Sequence, residues 1–107
     1  MDLIKHLEKQ KTFSEKTFGP VQTAKGIIEH IKKELVEIEE NPTDLEEWID
    51  VVLLACDGAW RAGYSPEEIA KKLTDKLEKN TNRVWPDWRE LSPDSAIEHK
   101  EVKAKIK

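Results

Sequence analysis

One cysteine, four glycines and one tyrosine are all that this chain of 107 residues has of those types, and the first two scarcities close routes. A lone thiol cannot form an intrachain disulfide, so the chain is no disulfide-stapled scaffold. Cys56 ends the run Val51-Val52-Leu53-Leu54-Ala55-Cys56. That oily setting suits a buried structural thiol in a reducing compartment, not a reactive thiolate. The glycines are scattered, so no glycine-rich loop is present to cradle phosphate. Cys/His metal spacing and a Ser/His/Asp arrangement are also missing, and His6 and His99 fall in no chemical motif of their own. An excess of positive charge is lacking too: the formal net charge is -4, which argues against a nucleic-acid binder with its basic face. No apolar run approaches the ~20 residues of a membrane helix. Met1 to Lys11 mixes charge with apolar residues and lacks the apolar core of a signal peptide. The expected location is cytoplasmic.

What is present is helical periodicity. Asp2–Thr17 reads as a first helix, with a possible break near Thr12–Ser14, and Gly19-Pro20 stops it. From Val21 to Glu40, Ile27, Ile28, Ile31, Leu35 and Ile38 form an amphipathic stripe, ended at Asn41-Pro42. A capping box at Thr43-Asp44-Leu45-Glu46 opens a third helix, in which the Thr43 hydroxyl is expected to accept from the Glu46 amide. It runs to Ala62, with Gly63 as its C-terminal stop. Ser65-Pro66-Glu67-Glu68 opens a fourth, carried by Ile69, Leu73 and Leu77 to about Arg83. The fold class is all-α: an antiparallel bundle of about four helices. Apolar residues are only 37% of so short a chain, and the middle of the third helix is apolar all round. Both features ask for cover from a second copy. The expected organisation is one helical domain over residues 1–91 and a polar C-terminal tail, partly ordered or loosely helical, over 92–107.

Two acidic pairs stand out. Glu34 with Glu37, and Glu47 with Asp50, are each spaced i, i+3, so each pair shares a helix face. The tight turn at Pro42 makes their helices antiparallel neighbours. Folded about that turn, Glu37 lies level with Glu47 and Glu34 with Asp50. Four converging anions require raised pKa values or bound cations, and hard divalent ions with oxygen ligands are the natural answer. The plainer reading is a pair of solvated faces, since 22 of the residues are acidic. Asp57 returns to the face of Asp50 and either supports such a site or caps a polar rim, the second being preferred. His30, one turn before Glu34, reads as a partly buried, hydrogen-bonded side chain.

Lys76, Asn80 and Arg83 follow at i, i+4, i+7 and form one stripe. Two cations flanking an amide suit a polyphosphate, although lysines abound on this helix. Trp85 and Trp88 are candidates to stack on a base or to cover a thin core. Trp48 and Trp60 read as core or interface residues.

Glu34-Leu35-Val36-Glu37 with Glu47-Trp48-Ile49-Asp50 resembles the ExxE…ExxD signature of the MazG-like all-α nucleotide pyrophosphohydrolases. Lys76…Asn80…Arg83-Val84-Trp85-Pro86 resembles their lysine–asparagine–arginine element. Thr17-Phe18-Gly19-Pro20, His30 to Leu35, Asp50 to Gly63, Trp85 to Arg89 and Ile97-Glu98-His99 are most similar to the phage-type dATP/dGTP diphosphohydrolase group. The gap from Glu37 to Glu47 is shorter than is usual in the wider superfamily. The resemblance implies Mg2+, replaceable by Mn2+, held by Glu34, Glu37, Glu47 and Asp50, with Glu34 or Glu37 as the catalytic base. It implies hydrolysis of (deoxy)nucleoside triphosphates, dATP and dGTP in particular, to the monophosphate and pyrophosphate. Lys76, Asn80, Arg83 and Trp85 then bind substrate, and the protein is a homodimer or a homotetramer built as a dimer of dimers. No nucleic-acid or membrane partner is expected, and if phage-encoded the enzyme works in the bacterial host's cytoplasm. The alternative is a non-catalytic helical interaction module whose apolar third helix binds a partner.

Overall fold

The periodicity is realised as four helices. The computed structural model describes residues 1–101 and contains α1 (Leu3–Phe18), α2 (Ala24–Glu40), α3 (Leu45–Arg61) and α4 (Pro66–Thr81), then a 3-10 turn at Trp88–Glu90. Among the described residues there is no strand, only an isolated antiparallel bridge between Val84 and Lys100. The fold is all-α. The chain divides into two compact units, Met1–Lys72 and the described residues from Leu73 onward.

In the first unit α3 is the shared partner: α2 packs along it, and α1 packs against it as well. Asp2 caps α1 by accepting from the amide of Lys5 at 3.1 Å. The helix runs without the break considered near Thr12–Ser14. Thr12 Oγ1 donates to the Glu8 carbonyl at 3.1 Å, and the buried Ser14 hydroxyl turns toward Asp57. Neither hydroxyl therefore competes for the helix's own amides. Gly19 stops α1 with φ +81, a backbone conformation that glycine adopts without penalty.

α2 starts at Ala24, later than the Val21 expected, because Thr23 is its cap and Val21 is left outside and exposed. The stripe it buries also differs from the apolar reading. Ile27 and Ile38 are buried, but Leu35 is 47% exposed and Glu34 is only 8% exposed. The inner face thus takes the carboxylate of the converging pairs and leaves out Leu35 of the apolar stripe.

α3 is capped by Asp44, not Thr43. The Asp44 carboxylate accepts from the Glu46 amide at 3.0 Å, so the helix begins one residue later than a Thr43 cap requires. Its end agrees with expectation: Gly63 has φ +107 just beyond Ala62. The box at the start of α4 forms in both directions, Glu68 N to Ser65 Oγ at 3.1 Å and Ser65 N to Glu68 Oε1 at 3.0 Å, with Pro66 first in the helix. α4 buries none of its residues. It ends at Thr81, short of Arg83, whose amide turns back to the Asn80 carbonyl at 3.2 Å. Residues 92–101 contain a turn at Ser92 and the bridge at Lys100 and no helix; the rest of the expected tail lies outside the described residues. No described helix is long and apolar enough to cross a membrane.

Candidate functional site

The helix pair α2–α3 brings three of the four predicted carboxylates together. Glu34 and Glu37 project from successive turns of α2, and Glu47 from the first turn of α3. One oxygen from each lies within 4.8 Å of the others. Glu34 Oε2 and Glu47 Oε2 are buried and accept no hydrogen bond. His30 Nε2 stands 3.4 Å from Glu34 Oε1, on a half-exposed ring. Asp50 is exposed and outside the three-oxygen group, yet its charge acts on Glu34.

The electrostatics follow from this crowding. Glu34 is pushed above its ordinary 4.5, first because its protonated form can hydrogen-bond to Glu37, then by loss of water and by the charges of Glu37 and Asp50; a proton offered by Glu47 opposes the rise. Glu47 is pushed up to about 7, first by loss of water, then because its protonated form can hydrogen-bond to Glu37, and by the charges of Glu37, Glu34 and Asp44. Crowded acids hold their protons more tightly where no other cation offsets their charge. Orphaned, buried carboxylate oxygens within a few ångströms of each other are the donor set that a hard divalent ion such as Mg2+ takes. The residues present fit the ion that the resemblance implies.

A second buried carboxylate was misplaced by sequence reasoning. Asp57 is not on a rim: it is 6% exposed and ties α1 to α3. Its Oδ1 accepts from Gln10 Nε2 at 3.0 Å and Trp60 Nε1 at 3.1 Å, and its Oδ2 from Ser14 Oγ at 3.0 Å. Arg61 stacks 4.4 Å over the Trp60 ring and donates to the Gly19 carbonyl at 2.9 Å and to Ser14 Oγ at 3.0 Å. The available signal was Gln10 and Ser14 at i, i+4 on α1, facing Asp57, Trp60 and Arg61 at i, i+3, i+4 on α3.

In the second unit Lys76 lies exposed on α4. Arg83 is past the helix end, so the three residues are not one helical stripe; Arg83 is instead drawn to Asn80 by a 2.9 Å hydrogen bond to its Oδ1. Trp85 Nε1 donates to the Asn80 carbonyl at 2.7 Å. Its ring meets His99 edge-on, centroids 5.9 Å apart. Three of the four predicted substrate residues therefore form one hydrogen-bonded group, and His99, which fell in no chemical motif, joins it through Trp85. Trp88 is exposed, with Arg89 over its ring at 5.5 Å.

An antiparallel helix pair that gathers three glutamates defines the class: an all-α protein with a candidate carboxylate metal centre. The model of the dATP/dGTP pyrophosphohydrolase family matches residues 6–103, and the chain belongs to that family. Among characterised sequences, the Eaa protein of Salmonella phage P22 is 38% identical over 81 residues, which is 76% of this chain and 25% of that protein. The chain thus spans about a quarter of that relative's length. No solved structure matches the chain.

Proposed function

We propose that the protein hydrolyses deoxynucleoside triphosphates, with dATP and dGTP preferred, to the monophosphate and pyrophosphate. The observation that carries this is the Glu34–Glu37–Glu47 cluster with its two orphaned oxygens, in a chain whose family is the dATP/dGTP pyrophosphohydrolases. Glu34, Glu37 and Glu47 would hold Mg2+, with Asp50 completing the set from the exposed side. Bound there, Mg2+ or Mn2+ supplies Lewis-acid polarisation of the phosphates and offsets charge on the leaving pyrophosphate.

The remaining chemistry belongs to the side chains. Glu34 or Glu37 accepts the proton of the attacking water. The water oxygen bonds to the α-phosphorus as the bond from that phosphorus to the bridging oxygen breaks, and pyrophosphate leaves. Lys76 and Arg83 neutralise phosphate charge, Asn80 orients a phosphate oxygen and Trp85 contacts the base. Trp48, Ile49 and Val52 of α3 are 50%, 44% and 54% exposed, which supports a homodimer or dimer of dimers built on this helix. No nucleic acid or membrane is a partner in this reading, and the place of action is the cytoplasm. If the gene is carried by a phage, the reaction drains selected dNTPs from the pool used for genome synthesis.

The test is pyrophosphate release from every dNTP and NTP with Mg2+ and with Mn2+, comparing the intact protein with Glu37→Ala. Metal-dependent release from dATP and dGTP that the substitution abolishes is the expected result. Equal rates on all bases would remove the purine preference. No release from any nucleotide would return the four acids to solvated faces and leave the helical interaction module.

A further inference from the structure

Two open clefts in the unit from Leu73 onward share His99 and Glu101 as a common wall. The first, about 440 Å3, is otherwise lined by Trp85, Ile97 and Glu98. The second, about 390 Å3, is otherwise lined by Asn82, Arg83, Val84 and Lys100. Both volumes fall within the roughly 300–1,000 Å3 of small-molecule sites. The chemistry of the two differs. One offers an indole, an imidazole, an isoleucine and a carboxylate; the other offers a guanidinium, an ammonium and an amide.

We infer that these clefts together form the nucleotide-binding subsite, with a purine base against Trp85 and His99 and its phosphates against Arg83 and Lys100. The inference rests on the reading that the protein takes purine deoxynucleotides, and it adds His99, Lys100 and Glu98 to the residues that bind them. The indole of Trp85 is held by its bond to the Asn80 carbonyl and by the His99 edge, so its ring stays fixed and 41% exposed. A fixed, open aromatic face is what base stacking needs, and the larger purine gains more from it. Glu98 can accept from the exocyclic amino group of adenine or guanine; cytosine carries such a group too and thymine does not, so the preference for purines over cytosine rests on stacking. On the other side of His99, Arg83 spends one nitrogen on Asn80 and keeps further donors for phosphate oxygens. Lys100 is placed by its own backbone, whose amide donates to the Val84 carbonyl at 2.7 Å. Glu101 opposes phosphate on the shared wall, and the two cations offset it.

The experiment is calorimetric titration with the non-hydrolysable α,β-imido analogue of dATP in Mg2+, for the intact protein, His99→Ala and Lys100→Ala. The Lys100 change leaves the backbone bridge in place, and thermal melting checks both folds. Each substitution is expected to weaken binding about tenfold, the worth of one charge-assisted hydrogen bond or one base stack. With dAMP the Lys100→Ala loss should shrink and the His99→Ala loss should persist. Unchanged affinity in both folded variants, from a protein that does release pyrophosphate, would overturn the subsite and leave the proposed reaction standing. Failure of the intact protein to bind the analogue or hydrolyse dATP would overturn both.

Discussion

Asp57 and Glu47 are acids of the same helix with oxygens withdrawn from water, and their surroundings treat them in opposite ways. Asp57 receives three donors, from Gln10, Ser14 and Trp60. Glu47 Oε2 receives none, and it faces Glu34, whose Oε2 is equally without a partner. A buried polar atom left unpaired costs about 1–3 kcal/mol. For these two carboxylates the fold meets that cost at one end of α3 with hydrogen bonds and leaves it unmet at the other, although Gln10 Oε1 and Arg61 Nε beside Asp57 are themselves unpaired. Saturated carboxylates tie helices together; hungry ones, clustered, await a cation. The difference between the two ends of α3 marks Asp57 as a tie between helices and the glutamates as the proposed metal ligands.

The largest effect should fall on activity. Glu37→Ala or Glu47→Ala should reduce pyrophosphate release at least about a hundredfold, a few kcal/mol of lost charge stabilisation, while leaving the metal-free protein as stable as before or more so. Asp57→Ala should do the reverse. It leaves three donors unpaired and costs about 3 kcal/mol, so Tm should fall on the order of 10–20 °C for a domain this small. Melting curves of the two sets in chelator decide the matter. A Glu47 variant that melts lower than an Asp57 variant would end the comparison.

Next in size is the response to pH. Glu34 and Glu47 have folded pKa values above their ordinary 4.5, Glu47 at about 7. The folded state therefore binds more protons than the unfolded chain between those values, and stability falls as pH rises through the window. The contribution is fully present below about 4.5 and gone above about 7. Metal-free Tm should decline across that range, and the decline should flatten in Glu47→Gln. Mg2+ competes with the same protons, so the Tm gained on adding it should grow as pH rises. A gain independent of pH would place the ion elsewhere.

Much of this contrast could be read in the sequence, and its omissions have physical causes. The level pairing of Glu37 with Glu47 and Glu34 with Asp50 needed only the helical repeat and the short turn at Pro42. The structure groups Glu37 with Glu47 and Glu34, while Asp50 stays outside that group and acts on Glu34 only through its charge. The inward turn of Glu34 follows from the converging pairs, but the exposure of Leu35 was not legible, because a hydrophobic stripe is traced by counting hydrophobes, and Leu35 lies 47% exposed. Asp57 was misjudged for a similar reason. Two of its three partners lie on α1, more than forty residues away in sequence, and side-chain hydrogen bonds between helices leave no periodic trace. The end of α4 was set too late because Arg83 continues the spacing of Lys76 and Asn80 while its backbone has already turned.

The smallest effect sits at the start of α3 and separates two neighbouring residues. Thr43 and Asp44 both satisfy the rule for a helix cap, and each has a glutamate three residues on, Glu46 and Glu47, so only the threonine form of the capping box pointed to Thr43. The structure gives the role to Asp44, whose carboxylate accepts from Glu46 N at 3.0 Å. Asp44→Ala should therefore cost about 1 kcal/mol, and Thr43→Ala a few tenths at most. Asp44 has a second consequence, because its charge is one of those that raise the pKa of Glu47. Asp44→Asn keeps an oxygen for the cap and removes the charge. It should hold Tm nearly constant in chelator while shifting the midpoint of the metal-free pH transition downward. If instead Thr43→Ala proved the costlier change and Asp44→Asn left the transition where it was, both the cap and its electrostatic reach into the carboxylate cluster would have to be reassigned.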